Sequence, residues 1–223
     1  MIEIRDVSHS FRKKKVLDSV SLVVEKNELC ALVGRNGAGK STLIHLMLDL
    51  LPLKTGTIKL NGIPVQKPGW KKTVSYLPEK FQLYPNLTGE ENLRFFASLE
   101  DGTVDETKLE EKLKLVRLWE DRKEQVSGYS KGMLQRLGLG IMLYFDTELL
   151  ILDEPTSGLD PIGRIEILSI LKSLENKTIL LSSHHIDEIN QICSHVAYLK
   201  DGKMEKYTVS DFKTKIVNEG ALV

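Results

Sequence analysis

The spacing of apolar and polar positions changes several times along the chain, and each change predicts a different element. Ile2 to Val7, Val20 to Val24 and Thr57 to Leu60 carry β-branched residues at alternate positions, the period of half-buried strands. Asn61-Gly62 closes a tight turn after the third. Leu29 to Val33 is a continuous apolar run ending at Gly34, as expected for a strand covered on both faces in a parallel sheet. A helical pattern follows from Gly39 to Leu51, and Pro52 stops it.

The middle of the chain reads differently. From Leu87 to Gln125 it is charged and helix-forming, with Thr88 and Thr103 as predicted N-caps; Thr103-x-x-Glu106 has the spacing of a capping box. Leu109, Leu113 and Val116 fall on one helical stripe. Buried-strand patterns return at Leu149 to Leu152 and Thr178 to Leu181. Between them Pro161 to Leu174 reads as a helix capped by Asp160. Val196 to Leu199, the turn Asp201-Gly202 and Lys203 to Val209 predict a hairpin. Strand and helix in alternation predict an α/β fold: a mainly parallel sheet, an antiparallel N-terminal β region and a helical insertion. Ligands of such sheets bind beyond the strands' carboxyl ends. We expect one domain over 1–223, with its core at 1–85 and 135–205, helices at 86–134 and a short tail at 206–223.

Composition narrows the function. At 223 residues the chain is long enough to fold around its own core without disulfide or metal. Thirty-one Lys and Arg residues balance 31 Asp and Glu, so the global basic field of a dedicated nucleic-acid binder is missing. The basic run Arg12 to Lys15 reads as a solvated turn. The longest uncharged apolar stretch, Leu137 to Phe145, has nine residues, against about 20 for a membrane span. The first residues read as a strand and not as a signal peptide. Cys30 and Cys193, with no metal-ligand spacing around them, read as buried thiols of a reducing compartment. A cytoplasmic protein is expected.

The chemistry starts at Gly34-Arg-Asn-Gly-Ala-Gly-Lys-Ser41, which fits G-x-x-x-x-G-K-[ST] between a buried strand and a helix. Its glycines let backbone N–H groups surround phosphate oxygens at the positive end of the helix. Gly34, Arg35, Asn36, Gly37, Ala38, Gly39, Lys40, Ser41 and Thr42 are the predicted nucleotide cradle. Lys40 reaches the β and γ phosphates, and Ser41 ligates Mg²⁺. Kinases, GTPases and ATPases all remain open at this point. Leu149-Leu-Ile-Leu-Asp-Glu154 narrows them, because it sets two carboxylates at a strand's carboxyl end. Asp153 suits the metal, and Glu154 can polarise the attacking water, which points to hydrolysis.

With these residues in order the chain resembles the ATP-binding cassette family, specifically the nucleotide-binding subunit of an ABC transporter, over about residues 1 to 205. Tyr129-Ser-Lys-Gly-Met-Leu-Gln-Arg136 is similar to the family's signature, Ser157-Gly-Leu-Asp160 to its D-loop, and Ser182-Ser-His184 to its switch histidine. Alone, Ser130 would be an ordinary N-cap, His184 a structural histidine and Phe11 a core residue. The resemblance gives them roles instead. Phe11 stacks on adenine, and His184, favoured over His185 by its spacing, contacts the γ-phosphate. Two copies pair head to tail, so that Ser130, Lys131, Gly132 and Asp160 of one cap the ATP held by the other.

The chain departs from the family pattern at Lys131 and Met133, where Gly and Gln are usual, and at Glu79, where Gln is usual. Tyr-Ser-Lys-Gly-Met is most similar to exporter ATPases of the ABC-2 type, drug and antibiotic exporters included. Glu79 could still touch Mg²⁺ or its water. The resemblance implies a separate membrane subunit that meets the surface after Glu79, where Phe81, Leu83, Tyr84, Pro85 and Leu87 cluster. A location on the inner face of the cell membrane follows from it. The alternative, a soluble cassette ATPase acting on nucleic acid or ribosomes, lacks the tandem cassettes, coiled coils or basic extensions it would carry.

Overall fold

The computed structural model describes residues 1–12, 14–100 and 102–218. They divide into two compact units. The first comprises 1–74, 148–153 and 175 onward; the second comprises 75–147 and 154–174. The helices expected at 86–134 lie wholly in the second.

The first unit holds two sheets. Strands β1 (Ile2–Phe11), β2 (Lys14–Val24), β4 (Thr57–Leu60) and β5 (Ile63–Pro64) form an antiparallel sheet in the order β2-β1-β4-β5. Alternation drives it: Ile2, Ile4, Val20, Leu22, Val24, Ile58 and Leu60 are all buried. The β1–β2 ladder runs further than predicted, because register shifts at Asp6 to Ser10 absorb the break in alternation. Asn61 and Gly62, both at positive φ, make the expected tight turn between β4 and β5.

The second sheet carries the strand ends that matter. β3 (Leu29–Val33), β7 (Leu149–Leu152), β8 (Thr178–Ser182), β9 (His195–Lys200) and β10 (Lys203–Thr208) lie in the order β10-β9-β3-β8-β7. The sixth strand, β6 (Val74–Leu77), is where the chain leaves the unit. β3 runs parallel to both β8 and β9, and β7 runs parallel to β8. Leu32 pairs with Ser182 and Leu152 with Leu181, so β3, β7 and β8 end at one edge.

Helix α1 (Lys40–Met47) follows β3 and stops four residues before the predicted end. Asp49, at φ 55°, turns the chain out of the helix, and Leu50 is 62% exposed. Beyond β8 come α6 (Ile186–Ile192) and α7 (Val209–Asn218), so the region expected as a tail is folded up to 218. Phe212 of α7 is 2% exposed and packs with Val33, Ile189 and Val196. Burial pushes the Cys30 thiol up to about 12, and the Cys193 thiol also up; both cysteines are free.

The second unit contains α2 (Gly89–Ala97), α3 (Glu106–Leu115), α4 (Lys131–Tyr144) and α5 (Pro161–Ser173). Thr88 caps α2, as predicted, and does so through the capping box, with Glu91, that the sequence spacing predicts at Thr103 instead. Thr103 does not cap α3. Asp105 does, its Oδ1 accepting from the Lys108 N–H at 3.0 Å. A carboxylate both caps and faces the helix's positive end, which a threonine two residues earlier cannot match. Leu109, Leu113 and Val116 are buried as one stripe. No described helix is long and apolar enough to cross a membrane.

Candidate functional site

The P-loop is built by close approach. A Cβ at Gly34 would lie 2.5 Å from the Leu199 carbonyl oxygen, so no side chain fits where the loop leaves β3. Gly39, at φ 109°, turns the chain into α1 with no side-chain cap, which leaves the first N–H groups of α1 facing the loop. Ala38 N–H closes the loop on Arg35 O at 3.0 Å. Lys40 is 7% exposed, and its Nζ donates to Gly34 O at 2.9 Å, so the ammonium is held inside the ring of backbone. Arg35, Asn36 and Gly37 are exposed at the rim, while Ser41 and Thr42 form the first turn of α1.

Lys14 and Lys15 belong to β2 and not to a solvated turn. Together with Val16, Lys200 and P-loop residues Arg35 to Ala38 they line a cavity of about 540 Å³. Three separate stretches of the first unit thus bring Lys14, Lys15, Arg35 and Lys200 around one space, which suits a polyphosphate. Phe11 ends β1, is 48% exposed, and meets His9 edge-on at 4.8 Å between ring centroids.

Asp153 follows β7 and is 4% exposed. Its Oδ1 accepts from the Ser182 hydroxyl at 2.6 Å. Ser182 is the residue that sequence reading missed. This bond links the ends of β7 and β8, and only the strand register could have pointed to it. A carboxylate and the Ser41 hydroxyl are hard oxygen donors of the kind Mg²⁺ takes. Next in the chain, Glu154 sits at φ 48°, a left-handed conformation that costs a residue with a side chain on the order of 1–3 kcal/mol. Such strain concentrates where a side chain has to be aimed. His184 is exposed just beyond β8, its ring 4.0 Å from that of His185.

The second unit carries the signature and the D-loop. Ser130 caps α4, its Oγ accepting from Met133 N–H at 3.2 Å. The serine's own proton stays available to donate. Lys131 and Ser130 are exposed, and Gly132 is half-buried in the first turn. The Lys131 ammonium lies where a Cβ on Gly158 would sit, so signature and D-loop touch in this unit. Asp160 caps α5 as predicted, accepting from Gly163 N–H at 2.7 Å.

Glu79 is exposed after β6 and lines, with Phe81, Tyr129, Lys131 and Gln135, a cavity of about 440 Å³. An apolar cavity of about 260 Å³ beside it is lined by Tyr76, Phe81, Leu83, Phe96 and Met142, among others. Tyr84 and Phe95 stack edge-on at 4.7 Å and are 47% and 37% exposed. Asn92, fully buried, holds this loop: its Oδ1 accepts from Tyr84 N–H at 2.8 Å, and its Nδ2 donates to Tyr84 O and Thr88 O. Burial above all pushes the Tyr129 phenol up to about 12, and its hydroxyl donates to Asp121 O at 2.8 Å.

Residues 17–157 match the family described as ABC transporter. The chain is 36% identical over 222 residues to the bacitracin transport ATP-binding protein BcrA of Enterococcus faecalis, covering 95% of this chain and 70% of that one. It is 34% identical to the lantibiotic transport ATP-binding protein SrtF of Streptococcus pyogenes, over 92% of this chain and 89% of that one. A solved ATP-binding subunit of an ABC transporter superposes with a TM-score of 0.83 at 30% identity, covering 97% of this chain and 93% of that one. With its P-loop, carboxylate pair and sheet in place, the chain belongs to the ABC transporter family as an ATP-binding subunit with ATPase activity that powers transport.

Proposed function

We propose that two copies of the chain pair head to tail around ATP and drive export through a separate membrane subunit on the inner face of the cell membrane. The observation that carries this reading is the second helix start. Ser130 and Gly132 open α4 at an exposed turn touching the D-loop, although the chain already has a complete phosphate loop at α1. A surplus half-site is explained if a second copy supplies the other half. The names of BcrA and SrtF favour export of a peptide-like antibiotic.

In this reading Lys40 and the P-loop N–H groups hold the β and γ phosphates, and Phe11 supports adenine. Ser41 and Asp153 would hold Mg²⁺, and Ser182 fixes the Asp153 carboxylate through Oδ1. An Mg²⁺ ion bound there would supply charge neutralisation for the phosphate oxygens. Glu154 accepts a proton from the attacking water as that water's oxygen adds to the γ-phosphorus and the bond to the β–γ bridging oxygen breaks, so that ADP leaves with that oxygen. His184 donates to the γ-phosphate, while Ser130, Lys131, Gly132 and Asp160 close the site from the partner copy. Glu79 lies at the root of the loop bearing Tyr84 and Leu87, and supports a link from the nucleotide's metal to the membrane subunit.

The test is Glu154→Gln. A positioned general base contributes about 10²–10⁴-fold, so turnover falls by that factor while ATP binding persists. The variant is expected to run as an ATP-dependent dimer on a sizing column; turnover like the parent's, or no dimer with ATP, would refute the reading.

A further inference from the structure

We propose that Glu188 is a positioning residue for His184, acting through Ser183. Glu188 is 6% exposed on the seven-residue helix α6, and burying a carboxylate is costly unless hydrogen bonds answer it. One does: Ser183 Oγ donates to Glu188 Oε2 at 3.1 Å. Ser183 Oγ in turn accepts from the His185 backbone N–H at 3.1 Å. Ser183 is 1% exposed, so water cannot take over either bond.

These bonds enclose one residue, the exposed His184. On the strand side, Ser183 N–H donates to Leu32 O of β3 at 3.4 Å. On the helix side, His185 N–H is tied back to Ser183, and α6 has no side-chain cap of its own to do that work. The backbone on either side of His184 is therefore pinned, with Glu188 as the distal anchor. Adjacent Ser182 grips Asp153 at 2.6 Å, so the Ser182-Ser183 pair ties the metal-side carboxylate and the histidine turn into one hydrogen-bonded segment. Glu188 touches no substrate. It keeps the imidazole from having to be ordered at each turnover, the saving that preorganisation gives.

This inference rests on the reading of His184 as the γ-phosphate contact, and a double-mutant cycle separates the two. ATPase rates are measured for His184→Ala, Glu188→Ala and the double variant. Glu188→Ala is expected to lower kcat about tenfold, with KM for ATP within about twofold, since the P-loop is untouched. Glu188→Gln, which keeps an acceptor for Ser183, restores most of the rate. In the His184→Ala background Glu188→Ala costs nothing further. A full second tenfold loss there would overturn the proposal and leave the role of His184 intact. A normal rate for His184→Ala alone would sink the reading of His184, and this proposal with it. If Glu188→Ala does not fold, Ser183→Ala breaks the same path and enters the cycle in its place.

Discussion

The two helices that we propose meet the nucleotide's phosphates, α1 and α4, begin at turns built in different ways. At α1 the cap is Gly39, with no side chain to satisfy the first N–H groups, and the cation Lys40 is buried within the loop. At α4 the cap is Ser130, which already satisfies Met133 N–H, and the cation Lys131 is exposed. The first start spends its own stability to stay open for a ligand. The second is a self-sufficient helix terminus that has a hydroxyl proton and a charge to offer outward. In the proposed dimer that difference separates a cradle from a lid: α1 would hold nucleotide alone, and α4 would only complete a site formed by the other copy.

The contrast can be broken most severely at Lys40. Lys40→Ala removes charge-assisted bonds worth roughly 1.5–3 kcal/mol, which weakens ATP binding by roughly 10–150-fold in equilibrium titration while the melting temperature stays close to the parent's. At Ser130 the order of effects is reversed. Ser130→Ala costs about 1 kcal/mol of stability as a lost cap, whereas Ser130→Gly costs only a few tenths. Ser130→Gly therefore isolates the hydroxyl's ligand role: we expect near-parental melting and nucleotide binding but lowered turnover. A smaller effect is expected in the loop that Asn92 holds. Tyr84→Asp, on an exposed ring, should leave folding and ATP affinity unchanged and reduce recovery of the membrane subunit in detergent pull-downs; unchanged recovery would remove this surface from docking. The smallest effect concerns Cys30. With its thiol pushed up to about 12 by burial, it should resist alkylation at pH 8 in the native protein and react once unfolded.

What the sequence made legible was local. The P-loop, the Asp153-Glu154 pair, the Thr88 cap and the Asp160 cap each occupy a few consecutive residues, so spacing alone identifies them. Ser182 was invisible as a partner of Asp153 because the two are 29 residues apart and meet only when β7 and β8 pair in register. Glu188 and Asn92 carry no motif or spacing that would single them out in the sequence; what sets them apart is burial, which spacing does not encode there. Lys14 and Lys15 looked like a charged turn because the long β1–β2 ladder depends on bulges that break alternation. Thr103 lost to Asp105 because two capping sequences overlapped and the carboxylate caps better.

The comparison between α1 and α4 stands or falls on whether one copy's α4 completes another copy's α1. Lys40→Ala spoils the cradle and keeps the lid, and Ser130→Arg spoils the lid and keeps the cradle. Each variant alone pairs into dimers whose two sites are both defective. Mixed, they form heterodimers with one doubly defective site and one intact site, so ATP hydrolysis should reappear on mixing and follow heterodimer concentration. A mixture of the two folded proteins that remains as inactive as its components, or Ser130→Arg chains that hydrolyse ATP at the parental rate by themselves, would contradict the account.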